Sequence, residues 1–244
     1  EDAYEAGRSM GTFGEDCAAK YGFTRAEQDA FATASVERAK AATASGAFAA
    51  EITPVTVKSR AGETVVSVDE GPGKVKLDKI ASLKPAFKKD GTITAASSSS
   101  INDGAAALVM MRASTATKLG CKPLARIVGH ATHAQEPEWF ATAPLGATQK
   151  ALAKAGWAVG DVDLWEINEA FAVVPMALMK ELNLPHDKVN VNGGACALGH
   201  PIGASGARIM VTLIYALQAR GLKKGLATLC IGGGEATAVA VELV

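Results

Sequence analysis

The strongest constraint on the fold is a glycine-rich segment late in the chain, where a short apolar run leads into five glycines and a long apolar stretch. The pattern predicts a strand over Val189–Asn192, a loop, and a buried helix over Gly206–Gln218 that Ser205 caps. His200 lies inside this loop, directly before Pro201, and the proline keeps the histidine backbone extended. A hydrogen-bonded loop histidine is the ordinary explanation, whereas so many glycines around one fixed histidine favour a functional site.

The composition is that of a globular chain with a sizeable core. The chain has 244 residues, 48% of them hydrophobic, which is enough for one large domain or two smaller ones. Its 25 basic and 25 acidic residues balance, so nothing in the charge argues for nucleic acid or an anionic membrane surface. We find no signal peptide and no apolar run long enough to span a bilayer.

The four cysteines are widely spaced and form no C-x-x-C pair. They therefore indicate neither a zinc site nor a redox motif, and a reducing cytoplasm fits best. The first residue is not methionine. We therefore expect that an N-terminal segment is missing, processed or nicked.

The N-terminal part is predicted to hold two helices and a hairpin. The elements are, in chain order, helices over Ala6–Lys20 and Arg25–Ser45 and hairpin strands over Ile52–Ser59 and Thr64–Asp69. Thr24 and Glu27 have the spacing of a capping box that opens the second helix, and Gly46 ends it. Lysines are then frequent between residues 74 and 89. A solvated face is the usual explanation, and a site for a phosphorylated ligand is the alternative.

A run of four serines, residues 97–100, follows. It could be a flexible linker. However, a strand is predicted before it and a buried strand over Ala105–Met111 after it. A serine loop between two core strands can offer hydroxyl and amide groups to a ligand. A short helix over Ser114–Leu119 is expected to stop at Gly120.

From Pro123 onward, strands and helices alternate, which is typical of a layered α/β fold. The predicted strands are Leu124–Val128, Asp163–Ile167, Leu226–Ile231 and Ala236–Leu243, and the predicted helices are Pro144–Ala155 and Asn168–Leu182. Pro175 is expected to kink the second of these helices. His130 and His133 are placed in a loop over residues 129–143. Their spacing is a weak metal signal because no third ligand is evident.

Two more strand ends carry polar groups. Asn168 follows one strand, where it is either a helix cap or an amide that holds a water molecule or polarises an oxygen. Cys230 ends another strand, directly before three glycines, where it is either a packed side chain or a reactive thiol beside bare backbone N–H groups. Thiol chemistry needs a base and oxyanion donors. Because ligand sites in α/β sheets gather at carboxyl ends of strands, we expect Asn168, His200 and Cys230 to meet there.

These motifs resemble those of the thiolases, which are acyl-CoA C-acyltransferases. The resemblance rests on Asn168–Phe171 (N-E-A-F), Gly194–Gly206 (G-A-C-A-L-G-H-P-I-G-A-S-G) and Cys230–Gly234 (C-I-G-G-G), and extends to Met10-Gly-Thr, Lys84-Pro-Ala-Phe87 and Asn102-Asp-Gly104. It implies an α/β, thiolase-like layered fold, with a βαβαβαββ half whose helices surround mixed sheets, plus part of an α+β loop domain. Residues 1–90 would belong to the loop domain that covers CoA, residues 91–122 would end the N-terminal half, and residues 123–244 would form the C-terminal half.

The resemblance also implies roles for individual residues. His200 would activate the nucleophile and help bind the thioester oxygen, and Asn168 would hold a water molecule in the same oxyanion hole. Cys230 would move a proton to or from the substrate α-carbon, and the Gly232 N–H would be a donor in the other oxyanion hole. The positions that would line the CoA groove are Met10, Phe87, Ala95, Ser99, Ala170 and Phe171, with Phe140 near the acyl pocket.

The implied activity is reversible Claisen condensation and thiolysis between acetyl-CoA and acyl-CoA, as in an acetyl-CoA acetyltransferase of fatty acid metabolism. The substrates would be coenzyme A thioesters, and neither a cofactor nor a metal is expected. A homo-oligomer, dimer or tetramer, is implied by the family alone. Alternatives are a longer-chain 3-ketoacyl-CoA thiolase, a non-catalytic CoA- or partner-binding fragment, and a ketosynthase-like condensing enzyme.

The chain departs from the family pattern in places. No residue matches the acylated nucleophilic cysteine, whose segment we expect before Glu1 or on a separate chain. Cys196 lies four residues before His200, but its family position is not catalytic and we expect it to be packed. Ser9 stands where many acetoacetyl-CoA thiolases carry histidine, which weakens a preference for the shortest substrate.

Overall fold

The computed structural model of the chain describes residues 4–244, so residues 1–3 of the predicted loop-domain segment lie outside the described residues. The α-helices of the described part are α1 (Met10–Tyr21), α2 (Arg25–Ser45), α3 (Gly71–Lys74), α4 (Ala113–Leu119), α5 (Ala143–Ala155), α6 (Val173–Leu182), α7 (Ala195–Leu198) and α8 (Ile202–Arg220). The strands are β1 (Val55–Ser59), β2 (Gly62–Val66), β3 (Ala125–Ala134), β4 (Leu164–Ile167), β5 (Lys224–Ile231) and β6 (Glu235–Leu243). Short 3-10 turns lie at Leu77–Ser82, Pro137–Thr142, Val159–Asp161 and His186–Lys188.

A mixed four-stranded sheet, in the order β3-β6-β5-β4, organises the C-terminal part. β4 runs parallel to β5, whereas β6 is antiparallel to both of its neighbours. Alternate side chains of β4 face opposite layers: Leu164 packs with Leu213 of α8, and Trp165 joins the apolar core formed with α5 and α6. Helices thus cover both faces of the sheet, and the predicted layered α/β fold is confirmed.

α8 is long and apolar enough to cross a membrane, judged by length and composition only. The expectation that no such run exists was therefore wrong. In the fold, half of its apolar stretch is buried, and Leu213 and Leu217 are inaccessible to solvent beneath the sheet. A buried core helix meets the same length and composition criteria as a membrane span, so this helix is weak evidence for a membrane.

Local signals place α2 correctly. The Thr24 side chain accepts a hydrogen bond from the Glu27 N–H, and the Glu27 carboxylate accepts one from the Thr24 N–H at 2.7 Å. The capping box and the end at Gly46 are thus confirmed. α1 begins at Met10 rather than at the predicted Ala6, because Gly7 has φ of +83°, a left-handed conformation that a right-handed helix does not contain.

The strand predicted over Ala105–Met111 was wrong, and so was the strand predicted before the serines. Residues 102–112 have no regular secondary structure, and Val109 is 89% exposed. Thr94 forms only an isolated bridge with Pro85. An apolar run becomes a buried strand only beside a hydrogen-bonding partner strand, and none lies beside residues 105–111 in the described part of the chain.

The strand predicted over Val189–Asn192 is reduced to one bridge between Val189 and Trp165. Asn190 has a φ of +48°, which takes the backbone out of the extended region directly after the bridge. The helix predicted over Gly206–Gln218 is α8, which begins at Ile202 rather than at Gly206. Ser205 therefore lies in the first turn and is not the cap.

The helix predicted over Asn168–Leu182 begins only at Val173, so Asn168 is not its cap either. Pro175 consequently lies in the first turn, where a missing N–H costs no helical hydrogen bond, and the predicted kink is absent.

β3 extends to Ala134, so the predicted loop over residues 129–143 was wrong and His130 and His133 lie on a strand. The strand continues because β6 pairs with it as far as Ala134. Within residues 4–244, no group of three or more His, Cys, Asp and Glu side chains is placed to hold a metal ion. The predicted hairpin is confirmed as β1 and β2, and every residue of both strands is exposed.

Candidate active site

The ends of β4 and β5 bring Asn168 close to the segment that carries Cys230. The two strands are parallel, so their carboxyl ends lie at one edge of the sheet. Asn168 directly follows β4, and its N–H donates to the carbonyl of Thr228 in β5 at 3.0 Å. Cys230 lies two residues further along β5, and its side chain is 7% exposed.

The serine segment, residues 97–100, connects the Asn168 loop to the His200 loop. The Ser99 N–H and hydroxyl both donate to the Ala170 carbonyl, at 3.1 and 3.0 Å, and the Ala172 N–H donates to Ser97. On the other side, the His200 N–H donates to the carbonyl of Ser100 at 3.0 Å. The segment is thus part of the site and not a free linker. Its bonds also hold residues 168–172 outside helix α6.

The His200 ring is held at both nitrogens. Its Nδ1 lies 2.6 Å from the Ser205 hydroxyl oxygen, and the hydroxyl lies 3.1 Å from the Pro201 carbonyl. A hydroxyl has one proton, so a Ser205 that donates to Pro201 must accept from Nδ1–H. Nε2 then carries the lone pair, and it lies 3.4 Å from the amide nitrogen of Asn168. The ring is therefore oriented as a base at Nε2.

Electrostatics keep this imidazole neutral. Burial, and then the positive charge of Arg208, hold the pKa of His200 below its ordinary value. At neutral pH the ring is able to accept a proton. The Asn168 Oδ1 is buried and accepts no hydrogen bond from the described residues. A buried acceptor of this kind suits a bound water molecule, as the predicted role of Asn168 requires.

Cys230 lies in an apolar environment. Burial raises the pKa of its thiol to about 12, so the group is protonated at neutral pH. It belongs to the same apolar cluster as Met10, Phe140 and Phe171. A Cβ added to Gly232 would come within 3.3 Å of the Met10 methyl group, so Met10 lies against the backbone that follows Cys230. The geometry suits a proton donor more than a free thiolate nucleophile.

The structure brings most of the predicted groove residues together. The rings of Phe87 and Phe171 meet edge to face at 5.7 Å between centroids, and Phe140 lies 6.4 Å from Phe171. The Phe87 ring also covers Gly11 and leaves no space for a Cβ there. Ser99 and Ala170 are hydrogen-bonded to each other, whereas Ala95 is exposed on a bend outside these contacts.

Cys196 is half-buried on α7, and its surroundings disfavour a thiolate. Burial, and then the negative charge of Glu169, hold the pKa of its thiol well above the ordinary value. This supports the expectation that Cys196 is not a nucleophile.

Glu169, for which no role was predicted, is fully buried at the centre of the site. One carboxylate oxygen accepts from the Ser35 hydroxyl of α2 at 2.7 Å and from the Cys196 N–H at 2.9 Å. The other oxygen accepts from the Asn190 side-chain amide at 2.8 Å. One carboxylate therefore ties α2, the Asn168 loop and the His200 loop together. The only local signal for this role in the sequence was the position of an acidic residue inside an apolar motif.

We expect Glu169→Gln to lower the free energy of unfolding by about 1–3 kcal/mol, because an amide group would then face buried donors and leave them unsatisfied. Urea unfolding followed by tryptophan fluorescence measures the change. Glu37→Gln, an exposed glutamate on α2, is the control and should change stability by less than about 0.5 kcal/mol. Equal unfolding midpoints for Glu169→Gln and the unaltered chain would contradict the role.

Comparison with known proteins agrees with this geometry. The family model for the thiolase N-terminal domain matches residues 1–114, and that for the thiolase C-terminal domain matches residues 121–243. The acetyl-CoA acetyltransferase of Chromobacterium violaceum is 55% identical over 243 residues, which cover 99% of this chain and 62% of that protein. The corresponding enzyme of Paracoccus denitrificans is 52% identical over 96% of this chain and 60% of its own length.

Solved structures agree in the same way. The crystal structure of the Bacillus anthracis acetyl-CoA acetyltransferase superposes with a TM-score of 0.96 at 46% identity, over 100% of this chain and 62% of that one. Human mitochondrial 3-ketoacyl-CoA thiolase superposes with a TM-score of 0.89 at 38% identity, over 96% of this chain and 60% of that one. The chain therefore spans about three fifths of the length of the relatives that it matches.

Proposed function

The chain belongs to the thiolase family, and we propose that it is the larger part of an acyl-CoA C-acyltransferase whose nucleophilic cysteine lies outside these 244 residues. One observation carries the proposal. A neutral imidazole, fixed by Ser205 at Nδ1 and with the Nε2 lone pair directed toward Asn168 at 3.4 Å, lies at the sheet edge near the end of β5, the strand that carries Cys230. A general base, an oxyanion site and a protonated thiol are the groups that carbon–carbon bond cleavage through an acyl-enzyme needs.

The proposed thiolysis proceeds in two steps. Nε2 of His200 takes the proton from the nucleophilic thiol, whose sulfur attacks the 3-keto carbon of the substrate. The bond between the α- and β-carbons breaks, the acyl group stays on the nucleophile as a thioester, and the acetyl-CoA enolate takes the Cys230 proton at its α-carbon. The thiol of a second CoA then gives its proton to the Cys230 thiolate and attacks the acyl-enzyme. Acyl-CoA is released, and the sulfur of the nucleophile leaves as a thiolate and recovers its proton from His200. Condensation is the same sequence in reverse.

Two oxyanion sites would stabilise the charged intermediates. In the first, a water molecule held by the unsatisfied Asn168 Oδ1 acts with His200 on the thioester oxygen. In the second, the Gly232 N–H acts on the acyl-enzyme oxygen, and the absence of a side chain there leaves the backbone accessible. Each such donor is worth about 10²- to 10³-fold in rate.

The substrate pair that we propose is acetyl-CoA with a short acyl-CoA. Relatives that are 50–55% identical are named acetyl-CoA acetyltransferase, which supports this choice. A longer 3-ketoacyl-CoA substrate is the alternative, supported by the likeness to a 3-ketoacyl-CoA thiolase and by Ser9. The pantetheine and adenosine would lie along Met10, Phe87, Ser99 and Phe171, with Ala95 and Ala170 on the rim and Phe140 at the acyl end.

The remaining expectations belong to the same proposal. They are a homo-oligomer, dimer or tetramer, a cytoplasmic location, a place in fatty acid metabolism, and the division into residues 1–90, 91–122 and 123–244. The two matched family models meet between residues 114 and 121, which supports a division close to residue 122.

The test is reconstitution. The part of the Chromobacterium violaceum relative that precedes the matched segment is fused to this chain, and CoA-dependent cleavage of acetoacetyl-CoA is measured. We expect cleavage by the fusion and none by the chain alone, because the family resemblance matches none of the four cysteines to the nucleophile. A folded fusion that binds CoA by calorimetry without cleavage would overturn the enzyme proposal and favour a CoA-binding module.

A further inference from the structure

A buried ion pair lies directly beneath the site and outside the roles assigned so far. Glu166 of β4 is 2% exposed, and its Oε2 lies 3.9 Å from Nη1 of Arg208 on α8. The other oxygen of Glu166 and the same Arg208 nitrogen make no hydrogen bond with the described residues. A buried ion pair without hydrogen bonds is a poor source of stability compared with apolar packing. Stability alone therefore does not account for it.

The pair is the middle one of three contacts that run along β4 and the adjacent α8 with its preceding loop. At the start of β4, Leu164 packs with Leu213 of α8. Two residues on, Glu166 faces Arg208, and two residues further, Asn168 contacts His200 just before α8 begins. Alternate residues of a strand share a face and lie about 6.6 Å apart. The helix and the strand thus run in opposite directions, with the ion pair next to the His200 contact.

We propose that the Glu166–Arg208 pair is a positioning element for the proposed reaction, holding α8 in register on β4 so that His200 stays aligned with Asn168. Its catalytic consequence rests on the proposed function. Arg208 follows Ser205 by three residues, about one helical turn. A displacement of α8 by one residue, about 1.5 Å, would break the contact of 2.6 Å between His200 and Ser205 or the contact of 3.4 Å between His200 and Asn168.

Electrostatics give the same pair a second effect on His200. The charged groups that face the pair are Glu169 in the loop after β4, Glu51 in the turn after α2, and Arg220 on α8 itself. Burial raises the pKa of Glu166 and the charge of Arg208 lowers it, so the charge on this carboxylate depends on the guanidinium group. Burial also raises the pKa of Glu51 to about 7, so Glu51 is only partly charged near neutral pH. The positive charge of Arg208 is therefore not fully balanced, and it helps to keep the His200 ring unprotonated.

The first test uses this chain alone and does not depend on activity. The imidazole C–H resonance of His200, assigned by its loss in His200→Asn, is followed against pH by NMR. We expect Arg208→Met to raise the midpoint of the His200 titration and Arg208→Lys to restore it. Arg220→Met, which removes an arginine twelve residues further along the same helix, should leave it unchanged. An unchanged midpoint in folded Arg208→Met would overturn the proposal.

The second test uses the fused enzyme. Glu166→Gln keeps the side-chain shape and removes the ion pair, and we expect kcat to fall at least about tenfold with KM within about twofold, since misalignment by an ångström costs rate and not binding. Glu51→Gln is the matched control, because Glu51 also faces Arg208 but does not lie on β4; its kcat should stay within about twofold. Equal losses in both variants, or a change in KM as large as that in kcat, would overturn the positioning role.

Should Arg208→Met not fold, Glu166→Gln becomes the deciding variant, and Arg208→Lys is expected to keep kcat near that of the unaltered enzyme. Unaltered kcat in Glu166→Gln would overturn the proposal. An inactive fusion would count against the proposed function, while the NMR midpoint would still decide whether Arg208 acts on His200.

Discussion

Replacement of Cys230 by alanine is expected to reduce thiolysis and condensation by the fused enzyme by about 10²- to 10⁴-fold, the range for loss of a positioned proton donor. Burial keeps the thiol protonated at neutral pH, with a pKa of about 12. In the proposed mechanism this proton goes to the α-carbon of the leaving enolate. Without it the enolate must find a proton from water in a site that is largely apolar around Cys230.

The loss can be assigned to the proton step by deuterium exchange. The unaltered enzyme should exchange the methyl protons of acetyl-CoA with D₂O, and Cys230→Ala should not, while transfer of the acetyl group between CoA molecules through the nucleophile continues. Cys196→Ala is the control, because Cys196 lies four residues before His200 in the chain and its thiolate is disfavoured. Exchange at the normal rate in Cys230→Ala would contradict the role of Cys230 as proton donor. Loss of acyl transfer in Cys196→Ala would contradict the expectation that Cys196 is not catalytic.

The fold could be predicted from the sequence wherever the deciding interactions are local. α2 is the clearest case, because Thr24 and Glu27 cap its start and Gly46 takes the left-handed conformation at its end. The hairpin of β5 and β6 is another, since the glycines between two apolar runs permit the turn. These elements need no information from distant residues.

The errors arose where distant partners compete with local preference. Residues 168–172 have a helical pattern, yet they bond to serines about 70 residues earlier and lie outside the helix. Residues 105–111 have the composition of a buried strand, but no described strand pairs with them. Burial depends on a partner, and composition alone cannot supply one.

The same distinction between local and distant interactions applies to the site. Parallel strands bring their carboxyl ends together, so the grouping of Asn168 with the end of β5 followed from the strand order. The assignment of Ser205 as a helix cap was wrong because its hydroxyl is already used by His200 and Pro201. The role of Glu169 could not be predicted from its local signal, since its contact with Ser35 joins residues 134 positions apart.

Replacement of His200 by alanine should lower kcat/KM of the fused enzyme by at least about 10²- to 10⁴-fold, because it removes the general base and also one group of the proposed oxyanion hole. The first step to be affected should be the activation of the nucleophilic cysteine. Without Nε2 to accept its proton, the nucleophilic cysteine should react more slowly with iodoacetamide at neutral pH. His186→Gln is the matched control, because His186 is also half-buried with a pKa held low by burial, and stacks on Phe31 at 4.8 Å.

The dependence of activity on pH tests whether neutral His200 is the base. Only the neutral ring accepts a proton, so activity should fall as pH drops through the pKa of His200. Burial and Arg208 hold that pKa below the ordinary value of 6.5, and the acid limb of kcat/KM should accordingly lie below pH 6.5. Arg208→Met should move this limb upward, in step with the NMR midpoint of His200. An acid limb above pH 6.5 in the unaltered enzyme, or one that stays in place in His200→Ala, would show that another group is the base.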